Sequence, residues 1–66
     1  MPYVHIRVTR EGVSPAQKLA LIEGATDLLQ NVLNKDPAST FVIIEEVETD
    51  NWGWKRESIT TLRARS

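Results

Sequence analysis

Two apolar strand segments flank one amphipathic helix segment, and this order limits the possible folds more than any other feature of the sequence. Residues 3–8 place β-branched side chains at every second position, which is typical of a strand. Residues 41–44 form a continuous apolar run, which is typical of a strand buried on both faces. A helix of about 19 residues spans ~28 Å, close to the length of a strand of about eight residues. These matched lengths favour a right-handed parallel βαβ unit.

The helix segment has clear boundaries in the sequence. Ser14, Pro15 and Gln17 have the spacing of a capping box with proline in the first turn. The predicted helix ends near Asn34, because residues 35–37 break its pattern with a proline. Apolar or small side chains recur along two adjacent stripes that together can cover a sheet: Leu19, Ile22, Thr26, Leu29 and Leu33 in one, and Leu21, Ala25, Leu28 and Val32 in the other.

The residues after this second strand predict a turn and a hairpin. Residues 45–50 are acidic, as expected of a strand that emerges into solvent, and residues 50–53 have the composition of a turn. Residues 58–62 have β propensity and are expected to form a short terminal strand or a hairpin arm, followed by a polar tail over 63–66. The predicted fold class is therefore α+β: a single domain over residues 1–66 that contains one βαβ unit and a C-terminal β-hairpin.

Such a domain has a thin core. Chains of this size (66 residues) rarely gain more than ~3–5 kcal/mol from one core and usually need disulfides, a metal or oligomerisation. The sequence has no Cys and one His, which excludes disulfides, thiolate metal sites and an imidazole cluster. One helix covers only one face of a two-stranded sheet. The second strand is apolar on both faces, so its other face needs cover from another subunit. We therefore expect oligomerisation to complete the parallel sheet.

Charge and hydropathy exclude several classes of partner. The net charge of −1 gives no attraction for polyanions, so nucleic acid is not an expected partner. No apolar run approaches the ~20 residues that a helix needs to cross a bilayer, so no membrane association is expected. The N-terminus lacks a charged leader followed by an apolar core, and the predicted location is the cytoplasm.

Pro2 follows Met1 directly, at the beginning of the first predicted strand. If Met1 is removed, the nitrogen of Pro2 becomes a secondary amine, a base that no interior residue provides. With Met1 retained, the same nitrogen is an amide and is not basic. The alternative role of Pro2 is to begin an edge strand, where a missing N–H does no harm.

The order of these elements resembles that of a known enzyme family. The frame consists of Met1-Pro2, a strand, Glu11-Gly12, a helix with Gln17-Lys18 in its first turn, the run 42–44, and the pair Trp52-Gly53. Across nearly the whole chain it resembles the 4-oxalocrotonate tautomerase family, whose members carry an N-terminal catalytic proline. The resemblance implies a βαβ unit with a C-terminal hairpin, assembled as a homohexamer in which pairs of units share a four-stranded sheet.

The resemblance also implies a cofactor-independent isomerase involved in the degradation of aromatic compounds. Pro2 would be the general base that moves a proton on an enol or unsaturated α-keto carboxylate. An ordinary α-amino group has a pKa of about 7.7–8.0, and burial beside cations lowers the pKa so that the amine is neutral at pH 7. An arginine would hold the substrate carboxylate, and Trp52 would form an apolar wall.

The arginines that members of the family use for the carboxylate are absent at the corresponding positions. Val13 follows the first glycine and Phe41 begins the second strand, where relatives carry arginine, and Lys55-Arg56 replaces a glycine pair. Arg10, near the end of the first strand, is the predicted substitute. Its alternative role is that of a solvated loop charge.

The predicted site therefore consists of Pro2 as the catalytic residue and Arg10 and Trp52 as substrate-binding residues, with no metal or cofactor. Arg7 lies on the opposite strand face from Pro2 by alternation and is a weaker candidate. Lys55-Arg56 follows the turn and is interpreted as a solvated hairpin, although it can reach the pocket of a neighbouring subunit.

The remaining polar and aromatic residues have structural interpretations. His5 faces away from the apolar set and is interpreted as an interface or surface residue rather than a base. One of Trp52 and Trp54 is expected to line a pocket while the other packs at an interface, with packing roles for both as the alternative. Glu45, Glu46 and Glu48 are interpreted as a solvated strand end with no base opposite them, and a carboxylate pair for acid–base work is the alternative.

The missing arginines leave other functional hypotheses open. One is a non-catalytic oligomer, a binding or scaffold relative of the tautomerases. Another is a hydratase, dehalogenase or decarboxylase activity of the same superfamily, which uses the same proline. The predicted partners are a small-molecule carboxylate substrate and further copies of the same chain.

Overall fold

A parallel pair of strands joined by one helix forms the body of the protein in the computed structural model, which describes residues 1–65. β1 (Tyr3–Thr9) and β2 (Phe41–Val47) pair in parallel, from Tyr3 opposite Phe41 to Thr9 opposite Val47. α1 (Pro15–Leu33) connects them, with a 3₁₀ turn at Pro37–Ser39 before β2. The predicted βαβ unit is confirmed, and β2 extends beyond its apolar run through Val47.

The ends of α1 follow the predicted sequence signals. Ser14 Oγ accepts a hydrogen bond from the Gln17 backbone N–H at 3.1 Å, and Gln17 Oε1 accepts one from the Ser14 N–H at 2.9 Å. Both halves of the capping box are present. Asn34 ends the helix with φ 55° and ψ 38°, the left-handed conformation that asparagine tolerates.

The helix covers one face of the two-stranded sheet. The half-buried residues alternate along both strands and meet a half-buried stripe on α1: Val4, Ile6, Val8, Val42 and Ile44 in the sheet, and Lys18, Ala25, Thr26 and Leu29 in the helix. Lys18 Nζ lies 2.8 Å from Glu46 Oε2, so β2 and the helix are also joined by an ion pair. None of the residues 1–65 is fully buried, which agrees with the thin core expected of this chain.

The other face of the sheet is open in the protomer. Tyr3 is 58% exposed, Phe41 53% and Ile43 49%. Four apolar side chains of α1 are also largely exposed: Leu19 55%, Leu28 59%, Val32 69% and Leu33 58%. These surfaces have the composition of a core but lie in solvent, as expected if further subunits complete the fold.

The C-terminal part contains the predicted hairpin but ends differently from the prediction. After a 3₁₀ turn at Thr49–Asn51, β3 (Gly53–Trp54) pairs antiparallel with β4 (Glu57–Ser58). Of the terminal strand or hairpin arm predicted over residues 58–62, Ser58 lies in β4, but residues 59–62 and the predicted tail up to residue 65 form α2 (Ile59–Arg65) instead. Ser66 lies outside the described residues.

Local capping and ion pairs explain this helix. The Ser58 Oγ accepts a hydrogen bond from the Thr61 N–H at 3.2 Å, as a helix N-cap does. Arg65 forms a bidentate ion pair with Glu57, which joins α2 to the hairpin arm before it. These contacts outweigh the β propensity of residues 59–61, because that propensity reflects packing more than backbone preference.

The turn between β3 and β4 holds two bulky residues in a left-handed conformation. Lys55 has φ 52° and Arg56 φ 71°, the pattern of a type I′ hairpin turn, which favours Asn and Gly. Positive φ costs an L-residue roughly 1–2 kcal/mol. The Lys55 Nζ lies 4.5 Å from the centroid of the Trp54 ring, a cation–π contact that offsets part of this cost.

Replacing Arg56 with glycine is therefore expected to stabilise the protein. Removing the Cβ relieves the left-handed strain, and the greater unfolded-state entropy of glycine offsets part of the gain, so we expect about 1 kcal/mol. The measurement is thermal unfolding at one fixed protein concentration, since association also shifts the transition. Arg56→Ala is the matched control, because it removes the same charge but keeps the Cβ. Equal melting temperatures for the two variants would contradict the claim that the left-handed conformation strains Arg56.

Candidate functional site

Pro2 lies immediately before β1, at the N-terminal end of the parallel pair. Its carbonyl oxygen accepts a hydrogen bond from the Phe41 N–H at 3.0 Å, which continues the pairing of the strands by one residue. Pro2 is half-buried and alternates with Val4 and Ile6, as the sequence pattern predicts. Its nitrogen is therefore held at a defined place on the edge of the sheet.

Arg10 and Trp52 lie at the opposite end of the pair. Arg10 directly follows β1, and its N–H donates to the Val47 carbonyl at 2.8 Å, whereas Trp52 follows the turn after β2. Arg10 lies eight steps along the strand from Pro2, a distance of ~26 Å at about 3.3 Å per residue. One chain does not bring the three predicted site residues together, so a site that contains all of them needs two copies.

A cavity of about 370 Å³ opens beside Trp52. We call it the tryptophan pocket, and its lining residues come from the end of β1, the hairpin and α2: Thr9, Trp52, Trp54, Ile59, Leu62 and Arg63. Both tryptophans line it, and the expectation that one of them packs at an interface stays a prediction. Its volume lies within the range of small-molecule sites, which are mostly apolar with a few placed polar groups.

Backbone pairing holds the tryptophan pocket together. The Ile59 N–H donates to the Trp52 carbonyl at 2.8 Å, so α2 begins beside the residue that forms one wall of the pocket. The hydroxyls of Thr49 and Thr60 lie 2.5 Å apart and join the turn after β2 to the same helix. The pocket therefore depends on α2, which the sequence pattern assigned to a strand and a tail.

Arg63 is the charged residue of the tryptophan pocket, and the sequence reasoning missed it. Its Nη1 donates to Glu11 Oε1 at 2.5 Å, and its Nη2 lies 3.4 Å from the Thr9 hydroxyl. The hydrogen bond from Arg63 lowers the pKa of Glu11, and Thr9 adds to the effect. These partners lie more than fifty positions away along the chain, so no local pattern indicated the contact.

Arg10 points elsewhere. Its Nη1 lies 3.3 Å from Glu48 Oε1, both side chains are largely exposed, and Arg10 is not among the residues that line the tryptophan pocket. Lys55 lies over the Trp54 ring, in the hairpin turn. Arg7 lines a smaller cavity of about 260 Å³ on the other side of Trp52. The guanidinium at the pocket is therefore that of Arg63.

A second polar cluster lies on the open face of the sheet. Glu45 Oε1 lies 2.8 Å from His5 Nε2 and accepts a hydrogen bond from Arg7 Nε at 2.9 Å. The Arg7 hydrogen bond, followed by that of His5, lowers the pKa of Glu45. The expectation of acidic residues without bases opposite is wrong, because Glu46 and Glu48 also pair with cations. The parallel register places Glu45 opposite Arg7, Arg10 follows β1, and the partner of Glu46 is Lys18 on α1.

Within residues 1–65, no three His, Asp or Glu side chains come together as a metal site would require. Neither α1 nor α2 has the length and apolar character needed to cross a lipid bilayer.

Comparison with known proteins gives consistent matches over the whole fold. A family model described as tautomerase enzyme matches residues 2–62. Probable tautomerase K2 from Dickeya dadantii (strain 3937) is 57% identical over 63 residues, 96% of this chain and 94% of that protein. The 1.9 Å crystal structure of DmpI from Helicobacter pylori has a TM-score of 0.90 and 43% identity, over 98% of this chain and 100% of that chain. A heterohexamer 4-oxalocrotonate tautomerase from Chloroflexus aurantiacus J-10-fl has a TM-score of 0.81 and 27% identity, over 96% and 100%.

The pair between Glu11 and Arg63 predicts an acid-dependent change at the tryptophan pocket. The pKa of folded Glu11 lies below the ordinary value of 4.5, so the pair stabilises the docked α2 above that value and is lost as pH falls through the folded pKa. Near-ultraviolet circular dichroism of the tryptophans should report this transition below pH 4.5 in the wild type, and Glu11→Gln should remove it.

Glu57→Gln is the matched control, because Glu57 pairs with Arg65 on the same helix but does not line the tryptophan pocket. It should keep the acid transition of the tryptophan signal. A transition of unchanged size and midpoint in Glu11→Gln would contradict the assignment to this pair.

Proposed function

This chain belongs to the tautomerase family, and we propose that it is a cofactor-independent isomerase that moves a proton on an enol or unsaturated α-keto carboxylate. The observation that carries the proposal is the family match over residues 2–62, which begins at the residue proposed as the base. Substrates of this type arise where aromatic rings are opened, so we place the activity in the degradation of aromatic compounds.

In the proposal, Met1 is removed and Pro2 acts as the general base. Met1 is 90% exposed, which leaves its peptide bond accessible to an aminopeptidase. The hydrogen bond from the Phe41 N–H to the Pro2 carbonyl does not involve the Pro2 nitrogen, so it persists after the cleavage. The freed secondary amine would then lie at the rigid beginning of β1 rather than on a flexible terminus.

The proposed reaction needs one base and no oxidant. The Pro2 amine takes the proton of the enol hydroxyl, the oxygen electrons form the carbonyl, and the double-bond electrons shift toward carbon. The carbon then takes a proton from the Pro2 ammonium, which regenerates the neutral amine. Substrate and product are isomers, so atoms and electrons balance. A guanidinium that binds the carboxylate and the developing negative charge would lower the barrier.

We further propose that the site forms between subunits, with Pro2 from one copy and Trp52 from another. The ~26 Å of strand that separates the two ends of one chain supports this arrangement. Exposed Tyr3, Phe41 and Ile43 supply apolar surface for association, and a heterohexamer is described for the similar protein from Chloroflexus aurantiacus. A homohexamer is the assembly that we propose. In this site Trp52 forms the apolar wall, and Arg10 lies at the same end of the sheet.

Replacement of the base tests the function. Once Met1 is removed, Pro2→Ala puts a primary amine in place of the secondary amine, so ketonisation of 2-hydroxymuconate and enol-phenylpyruvate should fall, by up to about a hundredfold. Spectrophotometric assays of both substrates give the rates. Intact mass shows whether Met1 is absent from each preparation, and circular dichroism verifies the fold.

The same experiment decides against the main alternative. A non-catalytic binding relative is the second candidate, because Val13 and Phe41 stand where the tautomerases that this chain resembles carry arginine. Met1 retained in the purified protein, with no turnover of either substrate, would favour that candidate. Turnover that is unchanged in Pro2→Ala would exclude proline as the base.

Subunit mixing tests the shared site. Pro2→Ala and Trp52→Ala subunits should each assemble into proteins with low activity, but unfolding and refolding them together should restore part of the wild-type rate. With random assembly, about a quarter of the sites would receive both wild-type residues. The control is Pro2→Ala refolded with a variant that carries both Pro2→Ala and Trp52→Ala. No site in that mixture contains a wild-type Pro2. No recovery in the first mixture, despite mixed assemblies by mass, would place both residues in one subunit.

A further inference from the structure

We infer that Arg63, rather than Arg10, binds the substrate carboxylate, and that the tryptophan pocket receives the unsaturated or aromatic body of the substrate. This inference rests on the proposed tautomerase activity, whose site it makes more specific. It follows from the placement of one guanidinium at the edge of an apolar cavity.

The lining of the tryptophan pocket fits such a substrate. Two indole rings and the side chains of Ile59 and Leu62 form apolar walls, and Arg63 supplies the positive charge. Flat conjugated molecules stack on indole rings, and a guanidinium matches the planar geometry of a carboxylate with two parallel hydrogen bonds. A carboxylate with a conjugated body therefore satisfies both parts of the pocket at once.

The side chain of Arg63 is held in place before a ligand arrives. Glu11 accepts from Nη1 at 2.5 Å, and the Thr9 hydroxyl lies 3.4 Å from Nη2. A guanidinium carries five N–H donors in a planar fork. The side chain is 51% exposed, which leaves it accessible to a ligand. Glu11 is then a positioning residue that aims the guanidinium.

The other arginines near Trp52 are less suitable. Arg10 pairs with Glu48 and is not among the residues that line the pocket. Arg7 lines the smaller cavity beside Trp52 and donates to Glu45, whose same oxygen also contacts His5. The cavity at Arg7 lacks the second indole ring as a wall, because Trp54 does not line it. Only Arg63 combines the charge with both tryptophans in the described part of the chain.

The test compares the ketonisation of enol-phenylpyruvate with that of its methyl ester, which has the same body but no carboxylate charge. Arg63→Ala should lower kcat/KM for the acid by about ten- to a hundredfold, mainly through KM, and change the ester by no more than about twofold. Arg63→Lys should recover part of the loss for the acid, because it restores the charge but not the paired geometry. Far-ultraviolet circular dichroism verifies the fold of each variant, and the rate with the ester reports whether the pocket survives the loss of the pair with Glu11.

Arg65→Ala is the matched control on the same helix, because Arg65 pairs with Glu57 and does not line the pocket. It should leave the ratio of acid to ester rates unchanged. Equal losses for acid and ester in Arg63→Ala would overturn the inference. An acid-specific loss in Arg10→Ala or Arg7→Ala, without one in Arg63→Ala, would also overturn it.

The proposed function can fail separately. If wild-type protein ketonises neither compound, the tautomerase proposal fails, and tryptophan fluorescence titration with cinnamate then decides the binding role. Quenching by cinnamate that is lost in Arg63→Ala and kept in Arg65→Ala would support Arg63 as the carboxylate ligand. Equal affinity in both variants would overturn it.

Discussion

The parallel pairing of β1 with β2 determines where every other part of this protein lies. Its register places Tyr3 opposite Phe41 and Thr9 opposite Val47, so the N-termini of both strands share one end and their C-termini the other. The proposed base, Pro2, lies at the first end. The hairpin, α2 and the tryptophan pocket lie at the second. Because the strands are rigid and extended, side chains at the two ends meet only when a second copy supplies one of them.

The same pairing leaves much of the apolar surface of the protomer exposed. One helix covers one face of two strands, and the uncovered face presents Tyr3, Phe41 and Ile43 to solvent. A chain with no fully buried residue over 1–65 gains little from its own core, and association would supply both stability and a complete site. Stability and the proposed activity would then depend on the same interfaces, so both would depend on protein concentration.

The candidate site was less accessible to sequence reasoning than the fold. Val13 and Phe41 indicated that the customary arginines are missing, and Arg10 was the nearest substitute along the chain. The structure instead brings Arg63 to the loop at Glu11, through a pair between residues 52 positions apart. Nothing in the local pattern of residues 58–65 indicates this contact, because it depends on how α2 docks against the end of β1. The prediction of a tail there was wrong for that reason.

The sequence by itself determined the βαβ unit and the boundaries of α1. Those features follow from local periodicity, from the capping box at Ser14 and Gln17, and from the left-handed tolerance of Asn34, all of which act within a few residues. Only the tertiary structure decided that α2 is a helix, that Arg63 lines the tryptophan pocket, and that Pro2 lies far from Trp52. These depend on strand register and on ion pairs between distant residues, which three-dimensional packing creates and local propensity does not encode.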